Sequence, residues 1–159
     1  MGTARAVVLT LLAAAAFAIA GAEDLARGWG NDIKWTGHSV ASQVAKRTGR
    51  PVMYVVHKTW CGACNRLKPL FAASEDIARL SKEFVMVNMQ DNEEPEDSQF
   101  KPDGGYIPRI LFGGSTGRVD ADIVNESGNE KYKYFYNDAA GIVRSMRSAL
   151  GKYGPSDEL

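Results

Sequence analysis

The chain has 159 residues, 45% of them hydrophobic and 24% charged. That is enough apolar material for one well-packed domain, so its two cysteines are not needed as staples for a miniature fold. Lys plus Arg and Asp plus Glu both number 19, and this balance gives no basic excess that would point to nucleic acid or to an anionic membrane.

Residues 1–22 read as a secretory signal peptide. Arg5 supplies the positive end, residues 6–20 are uncharged, and Ala18-Ile19-Ala20 and Ala20-Gly21-Ala22 both fit the small-x-small cleavage rule. A membrane anchor is the competing reading, but a spanning helix usually needs roughly 17–25 apolar residues and this run is at the short end. Either reading puts the domain beyond residue 22 in an oxidising compartment.

Residues 22–31 form a polar, Gly-containing lead-in, and residues 33–36 suit a short first strand. Residues 39–48 predict a helix, with Val40 and Val44 at i, i+4 spacing and Gly49 as its stop. Residues 51–57 are a continuous apolar run, of the kind buried on both faces of a parallel sheet. It leads straight into Trp60-Cys61-Gly62-Ala63-Cys64, which holds both cysteines of the chain. A helix over 62–72 offers Leu67, Leu70 and Phe71 to the core, with a kink expected at Pro69. Ser74 then caps a fresh helix that starts with Glu75 and Asp76 and turns Ile77 and Leu80 inward.

Residues 84–89 read as a strand, with Phe84, Met86 and Asn88 on one side and Val85, Val87 and Met89 on the other. The acidic segment 91–97, broken by Pro95, reads as a solvated loop. Residues 108–112 form a strand that opens on Pro108. After the turn 113–117, residues 118–124 are expected to return as the partner strand of a hairpin. Asn137 and Asp138 cap a last helix with the stripe Ile142, Val143, Met146 and Leu150. An early βαβ crossover followed by a hairpin predicts an α/β fold, a central mixed sheet with helices on both faces. The domain spans 23–154, and 155–159 form a polar tail.

Three readings compete for Cys61 and Cys64. In the redox reading, Cys61 at the start of a helix is the attacking thiolate, favoured by free N–H groups and the positive end of the helix dipole, and Cys64 is the resolving thiol. A structural zinc site needs four ligands, and beyond the pair only His38 and His57 are on offer, without paired spacing. An inert disulfide across so tight a loop would stabilise little. The redox reading is preferred, with no metal and no bound cofactor. Lys58, three residues before Cys61, is either a tuner of the thiolate or a solvated loop lysine. His57 reads as a satisfied strand-end histidine rather than a base. Asn125-Glu126-Ser127 is a glycosylation sequon.

Trp60-Cys61-Gly62-Ala63-Cys64 after a buried strand resembles the active site of the thioredoxin superfamily, and 104–110, Gly-Gly-Tyr-Ile-Pro-Arg-Ile, resembles its proline loop. Residues 51–153 fit the thioredoxin pattern in order and spacing. The resemblance is closer to one branch, the endoplasmic reticulum family of thioredoxin domain-containing protein 12 and the anterior gradient proteins. It is carried by residues 57–64, 84–88, 102–112 and 131–136. It implies a thioredoxin fold, a cis bond before Pro108, and a substrate peptide laid against Ile107 and Trp60 as an added strand. It also implies protein-disulfide oxidoreductase activity, with glutathione as redox partner.

Two departures stand out. The buried acid of thioredoxins would fall at Val55, and Ala63 stands where relatives carry His or Pro. With Gly62, Ala63 shapes the setting of the thiolate but donates nothing to it. The terminal Ser156-Asp157-Glu158-Leu159 resembles the Lys-Asp-Glu-Leu retrieval signal. Together the ends imply a protein of the endoplasmic reticulum lumen, not inserted in the membrane once mature, whose partners are secretory-pathway client proteins and the retrieval receptor; a monomer is expected. The alternative is a client-binding folding helper or adaptor with incidental exchange activity.

Overall fold

Every side chain of β2 (Val52–His57) is buried, because this strand lies inside the sheet with a layer packed on each face. The computed structural model describes residues 24–154; the signal-peptide and retrieval-tail readings lie outside the described residues. β2 pairs in parallel with β3 (Val85–Gln90) on one side and antiparallel with β4 (Arg109–Gly113) on the other. A two-residue β1 (Trp35–Thr36) adds to the far edge of β3, giving the order β1-β3-β2-β4. This is the expected mixed sheet.

The alternation of side chains along the strands sorts the core into two layers. Val52, Tyr54, Val56, Val85, Val87 and Met89 face α1 (His38–Thr48). Met53, Val55, Phe84, Met86, Ile110 and Phe112 face the opposite layer. That layer is built from α2 (Gly62–Ala72), α3 (Glu75–Leu80) and α4 (Ala139–Tyr153). The ends of these helices are set locally. Gly49 closes α1 at φ 71°, a left-handed conformation that suits glycine. Ser74 Oγ accepts from the Ile77 N–H, and Asp138 Oδ1 from the Gly141 N–H at 2.7 Å.

Several expectations are corrected. Val40 and Leu70 are exposed. The buried stripes are Ala41 and Ala45 on α1, and Cys64, Leu67 and Phe71 on α2. Each outlier sits about 100° round its helix from a buried neighbour. α2 runs through Pro69 as one continuous helix. Among the described residues, the chain after β4 forms no hairpin strand. It makes one bridge, Gly113 to Val119, with the Asp120 N–H donating to Phe112 O. Asp120 is then drawn to α4, where its carboxylate accepts from Tyr153 Oη and pairs with Lys152, both at 2.6 Å. The edge of β4 is instead met by Tyr134, whose carbonyl accepts from the Ile110 N–H.

Replacing Asp138 by Ala leaves the Gly141 N–H without its cap. Chemical denaturation should show a loss of about 1 kcal/mol with an unchanged dependence on denaturant.

Candidate redox site

The register of β2 sets the site. Val56 pairs with Arg109, so Pro108 stands at the end of β2 from which residues 58–61 depart for α2. Cys61 is the N-cap of α2 in extended conformation, disulfide-bonded to Cys64 with Cα atoms 5.2 Å apart. The Cys64 N–H donates to Cys61 Sγ at 3.1 Å. On reduction, that N–H and the positive end of α2 would stabilise a thiolate at Cys61. The two sulfurs differ in access. Cys61 retains 6% of its surface and Cys64 none.

The Ile107–Pro108 bond is cis, in line with the family resemblance. Ile107 O lies 3.9 Å from Cys61 Sγ. Trp60, beside Cys61, is 77% exposed, so an apolar ring stands in solvent next to the accessible sulfur. The structure thus brings Cys61, Cys64, Ile107 and Pro108 together, with Trp60 at the rim.

Lys58 is braced away from a free position, its Nζ donating to the Asp91 carbonyl. Asp91 Oδ1 in turn accepts from the Thr59 N–H and Oγ1. The first of these bonds is the main cause that holds the Asp91 carboxyl below the usual range. Gly62 and Ala63 form the first turn of α2, with the Arg66 Nη1 lying 3.6 Å from where a Cβ on Gly62 would sit.

The acidic segment is not simply solvated. Glu93 pairs with Arg27 and accepts from the Gln90 N–H. Glu94 pairs with the fully buried Arg109. Arg109 also donates to Phe100 O at 3.0 Å and to Tyr106 O. A single guanidinium therefore fastens the segment that carries Ile107 and Pro108.

On β2, Val55 is fully buried and paired across the sheet with Asn88 and Ile110, so the acid of thioredoxins has no counterpart at that position. Two residues further, His57 is 1% exposed and its Nε2 lies 2.5 Å from Asn88 Oδ1. Asn88 Nδ2 donates to the carbonyls of Leu25 and Ala26, both at 3.0 Å. Asn88 Oδ1 is therefore an acceptor, and His57 carries its proton on Nε2. Trp29 packs against His57 at 4.9 Å and edge-on against Phe71 at 5.3 Å. Burial, aided by the charges of Lys68 and Arg27 against the opposing effects of Asn88 and Asp91, lowers the His57 pKa to about 4.

Sequence reasoning misses Trp29, which it places in a loose lead-in, as well as Asp91 and Arg109. A lone aromatic in a polar stretch and an arginine inside an apolar strand are the signals that could find them. Asn125 lies away from the site, half-buried, with its Nδ2 donating to Phe135 O at 2.9 Å.

Residues 34–114 match the Thioredoxin-like family model. A thioredoxin from Thermus thermophilus superposes with a TM-score of 0.54 over 79% of this chain and 92% of that one, at 19% identity, a likeness of fold. The chain thus belongs to the thioredoxin-like proteins, and a Cys-x-x-Cys pair in this fold marks it as thiol-oxidoreductase-like. Within that class it is a member of the anterior gradient family. It is 35% identical to anterior gradient protein 3 of Xenopus tropicalis over 80% of this chain and 78% of the relative. It is 34% identical to the anterior gradient protein 2 homolog of Homo sapiens over 80% and 73%.

Two outcomes test this geometry. An unfolded imidazole takes up its proton near pH 6.5, and the folded one only near 4. The stability contributed by neutral His57 is therefore complete above about pH 6.5 and is lost as pH falls towards 4, by up to about 3 kcal/mol. Comparing denaturation of the wild type and His57→Gln across that window should show the variant losing less on acidification. Separately, Glu94→Ala strands the buried Arg109 charge and should cost about 3–5 kcal/mol in the same assay.

Proposed function

We propose that the protein is a thiol–disulfide oxidoreductase of the endoplasmic reticulum lumen, acting on protein disulfides through Cys61 and Cys64. The asymmetry of the pair carries this reading: one sulfur at a helix N-terminus with access to solvent, the other sealed beneath it. The reduced Cys61 thiolate attacks a substrate disulfide and forms a mixed disulfide, while the other substrate sulfur leaves as a thiolate and takes a proton. Cys64 then attacks Cys61 Sγ, closing the intramolecular bond and releasing the second substrate thiol. Two electrons pass to the substrate. The reverse sequence oxidises it, and glutathione resets the pair.

The Ile107 backbone and the exposed Trp60 suit an extended peptide from a secretory-pathway client. The N-terminal 22 residues and the tail Ser156-Asp157-Glu158-Leu159 support luminal residence through a retrieval receptor. No helix among the described residues is long and apolar enough to cross a membrane. We take the working unit to be the monomer. The absence of an acid at Val55 favours a second reading, a client-binding folding helper in which exchange is incidental.

The two separate in cells. Cys64→Ser should accumulate mixed disulfides on non-reducing gels, and adding Cys61→Ser should abolish them. If no Cys61-dependent adducts form and the purified wild type neither reduces insulin nor assists oxidative refolding, the oxidoreductase reading fails.

A further inference from the structure

The redox site leaves the sequon Asn125-Glu126-Ser127 without a role. In such a sequon the glycan acceptor is the asparagine side-chain nitrogen. The fold gives that nitrogen other work. Asn125 Nδ2 donates to Phe135 O at 2.9 Å. A carbonyl can only accept, so the nitrogen and not Oδ1 faces Phe135. The backbone of the sequon is closed as a turn, with the Gly128 N–H donating to Asn125 O at 2.9 Å. The Asn125 N–H donates to Lys133 O at 2.8 Å. Neighbouring chain also crowds the amide. A Cβ added to Gly128 would lie 2.7 Å from Asn125 Nδ2 and 2.9 Å from its Cγ, too close for even a methyl group.

The segment that Asn125 holds, residues 133–135, grips the chain on either side of Pro108. The Lys133 N–H donates to Asp103 Oδ2 at 2.8 Å, and the Tyr134 N–H donates to Tyr106 Oη at 3.0 Å. Tyr106 Oη donates in turn to the Asp103 carboxylate. Tyr134 O accepts from the Ile110 N–H at 3.0 Å. Between these grips stands Ile107, whose carbonyl lies 3.9 Å from Cys61 Sγ.

Resting on the luminal reading, we propose that Asn125 is a glycan acceptor in the unfolded chain alone, and that in the folded protein the same amide locks the segment bracing the proline loop. Transfer joins Nδ2 to the anomeric carbon of a lipid-pyrophosphate-linked oligosaccharide. The anomeric C–O bond breaks, its electron pair leaves with the pyrophosphate, and Nδ2 gives up one proton to solvent. Nothing is oxidised or reduced. A transferase must take hold of the amide, so the Phe135 bond and the turn have to open first. A sugar once attached fills space that Gly128 and Phe135 occupy, and such a chain cannot close the lock. The glycan therefore marks chains whose substrate loop lacks its brace.

The test compares two full chains in vitro, the native wild type and a Trp29→Ala, Glu94→Ala double variant shown by circular dichroism to be unfolded. Each is incubated with purified oligosaccharyltransferase and lipid-linked oligosaccharide, and the product is read as a gel shift removed by peptide N-glycosidase. The unfolded chain should gain one glycan, and adding Ser127→Ala should abolish it. The native protein should gain it at least about tenfold more slowly, because transfer waits on opening. Equal rates, or no transfer to the unfolded chain, overturn the proposal.

A second measurement reads the lock in the folded protein. Asn125→Asp sets a carboxylate against Phe135 O. Amide hydrogen exchange at Tyr134 and Ile110 should quicken about tenfold, while amides within α2 keep their wild-type rates. Unchanged exchange at Tyr134 and Ile110, or equal quickening throughout α2, overturns the proposal. On expression in cells, wild type should be recovered free of glycan and the unfolded double variant should carry it. A glycan on the folded wild type overturns the proposal. If the transfer assay succeeds and neither chain carries a glycan in cells, the luminal reading falls and the protection of Asn125 by the fold stands.

Discussion

The register of β2 between β3 and β4 is the constraint on which the rest depends. Pairing Val56 with Arg109 and His57 with Gln90 brings three segments to one end of the sheet. These are the proline loop, the start of the acidic segment and the β2–α2 connection. The Asp91 N–H donates to His57 O at 3.0 Å, which ties the second to the third. A slip of one residue would exchange the two faces of β2 and turn His57 and Val55 towards α1. A slip would also break the buried His57–Asn88 hydrogen bond between β2 and β3, so a contact that holds the sheet in register also aims the site.

Around this end, the protein buries polar groups at a cost that their pairing offsets. Arg109 meets Glu94 and two carbonyls, while Asn88 meets His57 and two carbonyls of the N-terminal segment. The first pins the proline loop beside Cys61, and the second ties the N-terminal segment to the end of β2. The sulfurs themselves make few polar contacts, so their positions are set largely by neighbours that do not take part in exchange.

Much of this is legible in the sequence because it is local. The faces of β3, the Ser74 and Asp138 caps and the Cys-x-x-Cys at a strand-to-helix junction are fixed by residues within a few positions of one another. What escapes is long-range. Trp29 is separated from His57 by 28 positions in the chain, and no periodicity in residues 22–31 announces a core residue. The hairpin expected after β4 fails for the same reason: Asp120 answers to Lys152 and Tyr153 on α4, partners invisible to a window around residue 120. Periodicity names apolar faces but not their centres, and so it assigns Val40 and Leu70 to the core.

The stretch shared with the thioredoxin-like family ends at residue 114 and begins at residue 34. Trp29, the Asn88-bound carbonyls of Leu25 and Ala26, and all of α4 lie outside it. The part common to thioredoxin-like proteins therefore holds the two cysteines and the proline, while the chain on either side of it covers Phe71, His57 and one face of the sheet. Trimming the chain to that common part would keep both cysteines and Pro108 and yet uncover Phe71 and His57, so the motif and the folded setting it works in are not the same stretch of sequence.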